Sequence, residues 1–138
     1  KSLQKGIMPN EVVIALGSNI DPKANLELAV FELKSRFNVL KKSRWLRTKP
    51  IGLKDQPDFY NGTLLMETEL GLESLRQELK GVEDLMGRNR KLPKFGPRVI
   101  DLDILIWNRK VHDKDYYDRE FLRKGVEEIL PYFDSESY

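Results

Sequence analysis

The sequence predicts an α+β fold, an antiparallel sheet with helices packed on it, and three observations predict it. Hydrophobic spacing switches along the chain between two residues and about 3.6 residues. The switches come in the order strand, helix, strand, strand, helix, strand. The last strand carries one uniformly apolar face. That order is the split βαβ, or ferredoxin-like (βαββαβ), pattern, in which helices lie on one face of the sheet, followed here by a short C-terminal helical extension. A length of 138 residues suits one hydrophobic core. Residues 1–10 are read as a tail of tag or linker type, because the chain begins at Lys1 and Met8 precedes the first strand, and 11–138 as a single domain.

Glu11–Leu16 is an apolar, partly β-branched run that ends at Gly17-Ser18-Asn19, a strand entering a loop. Asp21-Pro22 supplies an N-cap and a proline at the first helical position, and Leu26, Ala29, Val30, Leu33 and Phe37 continue at helical spacing. Val39–Thr48 reads as one basic strand containing Trp45, and Lys49–Pro57, which holds two prolines and a glycine, as a long loop. Asn61–Glu69 suits a third strand. Leu72, Leu75, Leu79, Val82 and Met86 form a second helix with Gly87 at its C-terminal stop, and a basic loop follows from Arg88 to Pro97. Val99–Trp107 is the clearest strand, and Tyr116–Leu130 a final helix with Phe121, Val126 and Ile129 inward.

A net charge of +2 gives no reason to expect nucleic acid or an anionic membrane as partner. Its distribution says more. Leu85–Ile100 holds five cations and no carboxylate, Lys34–Lys54 is also free of carboxylates, and acidic residues gather from Asp113 onward. Two basic stretches can converge on one polyanion, or both can be solvated faces. The chain has no cysteine, which excludes disulfides, thiolate metal sites and cysteine nucleophiles. No apolar run reaches the roughly 18–20 residues of a membrane span, and no secretory pattern is visible, so the expected address is cytoplasmic and the expected state a monomer.

Alternation puts Val99, Asp101, Asp103 and Leu105 on one face of the last strand and Ile100, Leu102, Ile104 and Ile106 on the other, which marks the latter as the core side. Two carboxylates with Cα atoms roughly 6–7 Å apart repel each other unless something neutralises them. Magnesium does this while taking one or two carboxylates, waters and phosphate oxygens. An isolated Asp-x-Asp is weak evidence for a metal and is more often an exposed strand face. Arg98 immediately before it and the arginine-rich loop upstream favour a metal–polyphosphate site, since the guanidinium fork matches phosphate oxygens.

The stretch Lys94-Phe-Gly-Pro-Arg-Val-Ile-Asp-Leu-Asp-Ile-Leu105 resembles the signature of the hydroxymethyl-dihydropterin pyrophosphokinases of folate biosynthesis. Other blocks match in order: Gly17-Ser18-Asn19; Arg47-Thr48 with Pro50 and Gly52; Asp55-Gln-Pro-Asp-Phe-Tyr-Asn61; and Glu83 followed by Gly87-Arg88-Asn89-Arg90. The resemblance runs from about Val12 to Trp107 and resumes from Arg119 to Pro131. It implies transfer of pyrophosphate from ATP to the hydroxymethyl group of a reduced pterin, leaving AMP. It also implies that Asp101 and Asp103 hold two magnesium ions, and that Arg88, Arg98, Asp101 and Asp103 carry the chemistry. ATP would be bound by Glu83, Arg88, Arg90, Lys91, Arg98, Ile104 and Arg119. The pterin would be bound by Thr48, Lys49, Ile51, Phe59, Asn61, Phe95 and Phe121, with Phe95 in the place of a loop tryptophan. The implied partners are these small molecules, neither nucleic acid nor membrane, with membership of a multifunctional folate enzyme a further expectation.

The departure lies after Trp107. Family members carry a Val-Pro-His segment there that contacts ATP; this chain runs Lys110-Val-His-Asp-Lys-Asp-Tyr-Tyr117 and lacks it, and Gly125 stands near an expected proline. Without the family, Thr48 and Asn61 read as strand-end residues, Phe59 and Phe121 as core, Trp45 and Trp107 as packing residues and His112 as a loop histidine. The competing functional reading is therefore a catalytically weakened pterin- or nucleotide-binding homologue.

Overall fold

A computed structural model describes residues 8–87 and 96–136. The elements are β1 (Asn10–Ser18), α1 (Pro22–Arg36), β2 (Asn38–Lys42), β3 (Leu46–Thr48), β4 (Phe59–Thr68), α2 (Leu72–Leu85), β5 (Asp101–Trp107), β6 (Lys110–Val111), α3 (Asp115–Asp118) and α4 (Glu120–Ile129). The sheet is antiparallel throughout, in the order β2–β4–β1–β5–β6, with β3 following β2 along the same edge of β4. The ferredoxin-like α+β expectation holds.

Helices cover both faces of the sheet, where the sequence led us to expect one. Against one face, α1 and α2 bury Leu26, Leu33, Leu75, Leu79 and Val82 on Val12, Ile14, Leu16 and Leu64. Against the other, α4 packs Leu122, Val126 and Ile129 on Val13, Leu65, Leu105 and Ile106. This explains why Val12–Leu16 is a continuous apolar run: β1 is central and covered on both sides. Each fully buried aliphatic side chain contributes about 1.5–3 kcal/mol.

Five local features differ from the sequence reading. Asp21 sits at the N-cap of α1 with φ 43° and makes no side-chain cap; its carbonyl accepts the Asn25 N–H at 3.0 Å. The single strand expected over 39–48 is broken at Ser43. There the Ser43 N–H donates to the Thr63 carbonyl (2.9 Å) and the Ser43 hydroxyl accepts the Thr63 N–H (2.8 Å), so a side chain replaces one rung of the ladder. The last strand begins at Asp101 rather than Val99, and the final helix is broken at Arg119, whose backbone is extended. Lastly, β5 carries a bulge: Val13 pairs with Ile106 but Ile14 with Ile104, leaving Leu105 as the extra residue. Leu105 and Ile106 therefore both face α4, and Ile106 is not on the face of Leu102 and Ile104.

Gly87 ends α2 as expected, with φ 92° and its N–H donated to the Asp84 carbonyl at 3.0 Å. Gly62 serves packing, because a Cβ there would overlap the Trp45 ring, whose Cζ3 lies 2.6 Å from that position. Gly62→Ala is expected to cost about 1–3 kcal/mol of stability. Thermal denaturation followed by circular dichroism would show a lowered midpoint; an unchanged one would mean that Trp45 moves aside freely.

Candidate active site

The face of the sheet that carries α4 is only half covered by it. The uncovered half lies at the C-terminal end of β1 and the N-terminal ends of β4 and β5. It opens into a cleft of about 420 Å³ lined by Gly17, Thr48, Lys49, Ile51, Phe59, Asn61, Arg98, Asp101, Asp103, Asp113, Asp115, Arg119 and Phe121. A second cavity of about 390 Å³ runs beyond β5, lined by Arg76, Lys80, Glu83, Leu102, Asp103, Ile104, His112, Asp113 and Lys114. Asp103 and Asp113 belong to both, so the two form one site with Asp103 at their junction.

Register explains the floor of the first cleft. Gly17 pairs with Asn61 on one side and with Asp101 on the other, so the three occupy one row across the sheet. Neighbours in such a row point to the same face. The Asn61 amide and the Asp101 carboxylate thus flank a position without a side chain, with Cα atoms two strand spacings, roughly 10 Å, apart. A Cβ on Gly17 would lie 2.7 Å from Asn61 Oδ1 and 3.9 Å from Phe59, filling this gap. Asn61 is fixed from its far side, where its Nδ2 donates to Thr48 Oγ1 at 2.6 Å. The Asn61 amide, two phenyl rings (Phe59 and Phe121) and the carboxylates of Asp101 and Asp103 all line this cleft.

Asp101 and Asp103 lie on the same face, as alternation predicts. Arg98 is placed differently from a phosphate-gripping surface arginine. Its side chain is only 6% exposed, with Nε 3.7 Å from Asp101 Oδ1, and Nη1 donates to the carbonyls of Gly96 (3.3 Å) and Pro97 (3.1 Å). It lies in the cleft wall as a buried cation beside the first aspartate. Glu83, 3% exposed, accepts the Leu102 N–H at 2.7 Å through Oε2. Its carboxylate closes the outer edge of β5 between the two aspartates, an edge that β6 reaches only at Ile106 and Trp107. Ile104 faces the second cavity and Arg119 the first, where Arg119 pairs with Asp115 at 3.6 Å. Thr48, Lys49, Ile51, Phe59, Asn61 and Phe121 all converge on the first cleft. Arg88, Arg90, Lys91 and Phe95 lie outside the described residues.

The short connection after β6 is held by its own cluster. Tyr116 meets Tyr117 and Phe133 edge-on, with ring centroids 5.2 and 5.8 Å away, and Arg123 Nη1 donates to the carbonyls of Tyr116 (2.9 Å) and Tyr117 (2.6 Å). Burial pushes the Tyr116 phenol above its ordinary pKa, opposed by the Arg123 charge.

One residue of the site received no role from the sequence. Asn19 is buried; its Oδ1 accepts the Arg98 N–H (2.8 Å), its N–H donates to the Arg98 carbonyl (3.1 Å), and its Nδ2 donates to Gln56 Oε1 (2.8 Å) and the Pro57 carbonyl (3.1 Å). It ties the loop before β4 to the segment before β5, the two walls of the first cleft. The signal was its place just after a buried strand, at the end of Gly17-Ser18-Asn19.

Among the described residues, no three His, Asp or Glu side chains are gathered as a ready metal cage. The donor set that does exist, two carboxylates at the lip of a cavity, is the kind magnesium uses when waters and substrate phosphates complete its octahedron. The oxygen-only chemistry of Asp101 and Asp103 fits that ion.

Fold and cleft together define a ferredoxin-like α+β protein with a carboxylate–arginine centre in one cavity and Asp103 shared with a second. The family model described as 7,8-dihydro-6-hydroxymethylpterin-pyrophosphokinase matches residues 13–131, and the chain belongs to that family. It is 34% identical over 135 residues to the 2-amino-4-hydroxy-6-hydroxymethyldihydropteridine pyrophosphokinase of Haemophilus influenzae, covering 90% of this chain and 80% of that protein. The Bacillus subtilis protein of the same name is 34% identical over 141 residues, covering 94% and 84%. The mitochondrial folate synthesis bifunctional protein of Pisum sativum is 36% identical over 110 residues, which is 78% of this chain but only 21% of the pea protein. No helix of the described residues is long and apolar enough to cross a membrane.

Proposed function

We propose that the joined cavities are where this pyrophosphokinase brings its two substrates together, with the reduced pterin in the first cleft and ATP along the second. The row Asn61–Gly17–Asp101 carries the reading, since it leaves a ring-sized gap that ends at a carboxylate. Asn61 and Thr48 hydrogen-bond the ring edge, Phe59 and Phe121 cover its faces, and the hydroxymethyl group points toward Asp101 and Asp103. The nucleotide lies beyond β5 against Ile104, with Lys80, Lys114 and Arg76 around it, and its triphosphate crosses at Asp103.

The hydroxymethyl oxygen attacks the β-phosphorus of ATP. The bond from that phosphorus to the oxygen bridging the α- and β-phosphates breaks, the pyrophosphoryl group moves to the pterin, and AMP leaves with the bridging oxygen. The hydroxyl proton passes to solvent or to an aspartate at the lip. Transfer of this kind depends on alignment and charge neutralisation and needs no covalent nucleophile. Bound at Asp101 and Asp103, magnesium would supply that neutralisation. Arg98, with Nε 3.7 Å from Asp101 Oδ1, holds that carboxylate directed into the cleft. Glu83 holds the β5 backbone between the two carboxylates, so their separation stays fixed.

The test is a product assay. With magnesium, ATP and 6-hydroxymethyl-7,8-dihydropterin, AMP should form in step with pterin diphosphate and only when pterin is present. ADP as the product would overturn this reading, and tight binding of both substrates without turnover would replace it with that of the weakened homologue.

A further inference from the structure

Helix α1 is apolar on two opposite faces. Leu26, Ala29, Val30 and Leu33 are buried against the sheet. On the side directly away from them, Ala24, Leu28, Phe31 and Ser35 follow at intervals of four, three and four residues, all exposed, with Leu28 at 45% and Phe31 at 66%. That spacing draws one straight stripe along a helix, the pattern of a helix–helix seam. An ordinary surface helix carries charges there. The charges of α1 stand beside the stripe. Glu27 and Lys34 flank one side of it, seven residues and two turns apart, and neither forms an ion pair among the described residues. On the other flank stand Asn25, bonded to the Ile20 carbonyl, and Glu32, paired with Arg36 of its own helix at 3.5 Å.

We infer that this stripe is a self-association surface, on which α1 of a second copy of this chain packs antiparallel about a two-fold axis. In that arrangement Leu28 of each copy meets Phe31 of the other, and Ala24 meets Ser35. The axis leaves each flank facing itself in reverse, so Glu27 of one copy faces Lys34 of its partner, and the same pair repeats by symmetry. Asn25 faces Glu32 on the opposite flank, and no like charges are opposed. Self-complementarity of this kind follows when opposite charges lie two turns apart on one flank, and it selects a second copy over an unrelated partner. One helix pair with two large apolar residues per copy buries less than the roughly 1,200 Å² of a stable interface, so the dimer is weak. The surface lies on the far side of α1 from the sheet, away from both cavities, and dimerisation leaves them open.

Sedimentation velocity of the full chain from micromolar to millimolar concentration tests this. A reversible monomer–dimer equilibrium is expected, and Phe31→Glu should weaken it at least about tenfold. Glu27→Lys and Lys34→Glu should each weaken it roughly fivefold, because each removes two symmetric pairs and sets like charges opposite one another. The double variant Glu27→Lys with Lys34→Glu should return to the wild-type Kd. All four variants should keep the melting temperature and the rate of AMP formation of the parent chain. A chain that stays monomeric at millimolar concentration overturns the inference. So does a dimer indifferent to Phe31→Glu, or a double swap no better than the single ones.

Discussion

Asp103→Ala is expected to lower the rate of AMP formation by at least about 100-fold, the usual scale for removing a group that stabilises transition-state charge, while leaving the melting temperature close to that of the parent. Asp101→Ala should give a comparable loss of rate and in addition a less stable protein. The difference comes from Arg98. Its side chain is 6% exposed and lies 3.7 Å from Asp101, so removing that carboxylate takes a counter-charge from beside a buried guanidinium. The carbonyls of Gly96 and Pro97 still accept from Nη1, and Asp101 is itself 32% exposed, so the cost is about 1–2 kcal/mol rather than the full value of a broken buried pair. Steady-state kinetics combined with thermal melts separate the two. Near-normal turnover in either variant would remove that aspartate from the chemistry, and equal melting temperatures would show that Arg98 does not depend on Asp101.

The second large effect should come from Asn19, a residue that need not touch either substrate. Asn19→Ala removes one acceptor and two donated bonds from a buried position and leaves the Arg98 N–H without its partner. Unsatisfied buried groups of this kind cost about 1–3 kcal/mol each, so the expected total is about 2–4 kcal/mol, or roughly 5–15 °C in melting temperature. Function should suffer beyond stability. At a temperature where the variant is fully folded, KM for the pterin should rise because the loop carrying Gln56 and Pro57 loses its anchor. The rate should fall because Arg98 and Asp101 shift with their segment. Asn19→Asp keeps the acceptor for the Arg98 N–H and loses the donors. It should therefore restore rate more than it restores pterin KM. Equal recovery of both would show that Asn19 does not bridge two separately acting walls.

Much of this site was legible in the sequence because its parts are local. Asp101 and Asp103 declare their shared face by spacing alone, and Arg98 announces its neighbourhood by being three residues away. What stayed hidden depends on residues far apart in the chain. The bulge at Leu105 is a property of the pairing between β5 and β1, and β5 alone reads as unbroken alternation through Ile106. The break at Ser43 has neither glycine nor proline to mark it, because its cause is a hydroxyl that takes a Thr63 N–H from twenty residues away. The unbroken apolar run of β1 did hold the clue that helices cover both faces, since a strand with one solvated side would have alternated. Glu83 and Asn19 are polar residues whose burial comes from tertiary closure, and no local pattern distinguishes them from surface residues of the same type.

The bulge has a consequence for how β5 can vary. Upstream of Leu105 the strand offers carboxylates to the cleft side and isoleucine and leucine to α1 and α2; downstream, the phase is reversed, and Ile106 meets α4 while Trp107 turns back. Leu105 is thus a one-residue phase shifter between a chemical half-strand and a structural half-strand. Straightening the bulge with every residue kept would force one half to slip by a residue and exchange its two sides. Either the aspartates would enter the α1–α2 core, or the hairpin to β6 would turn its apolar residues outward. Loops around this site can lengthen or shorten at modest cost, as the short connection after β6 illustrates, but the register of each half of β5 against β1 is fixed by the need to keep charge on one side of the sheet and α4 seated beside it.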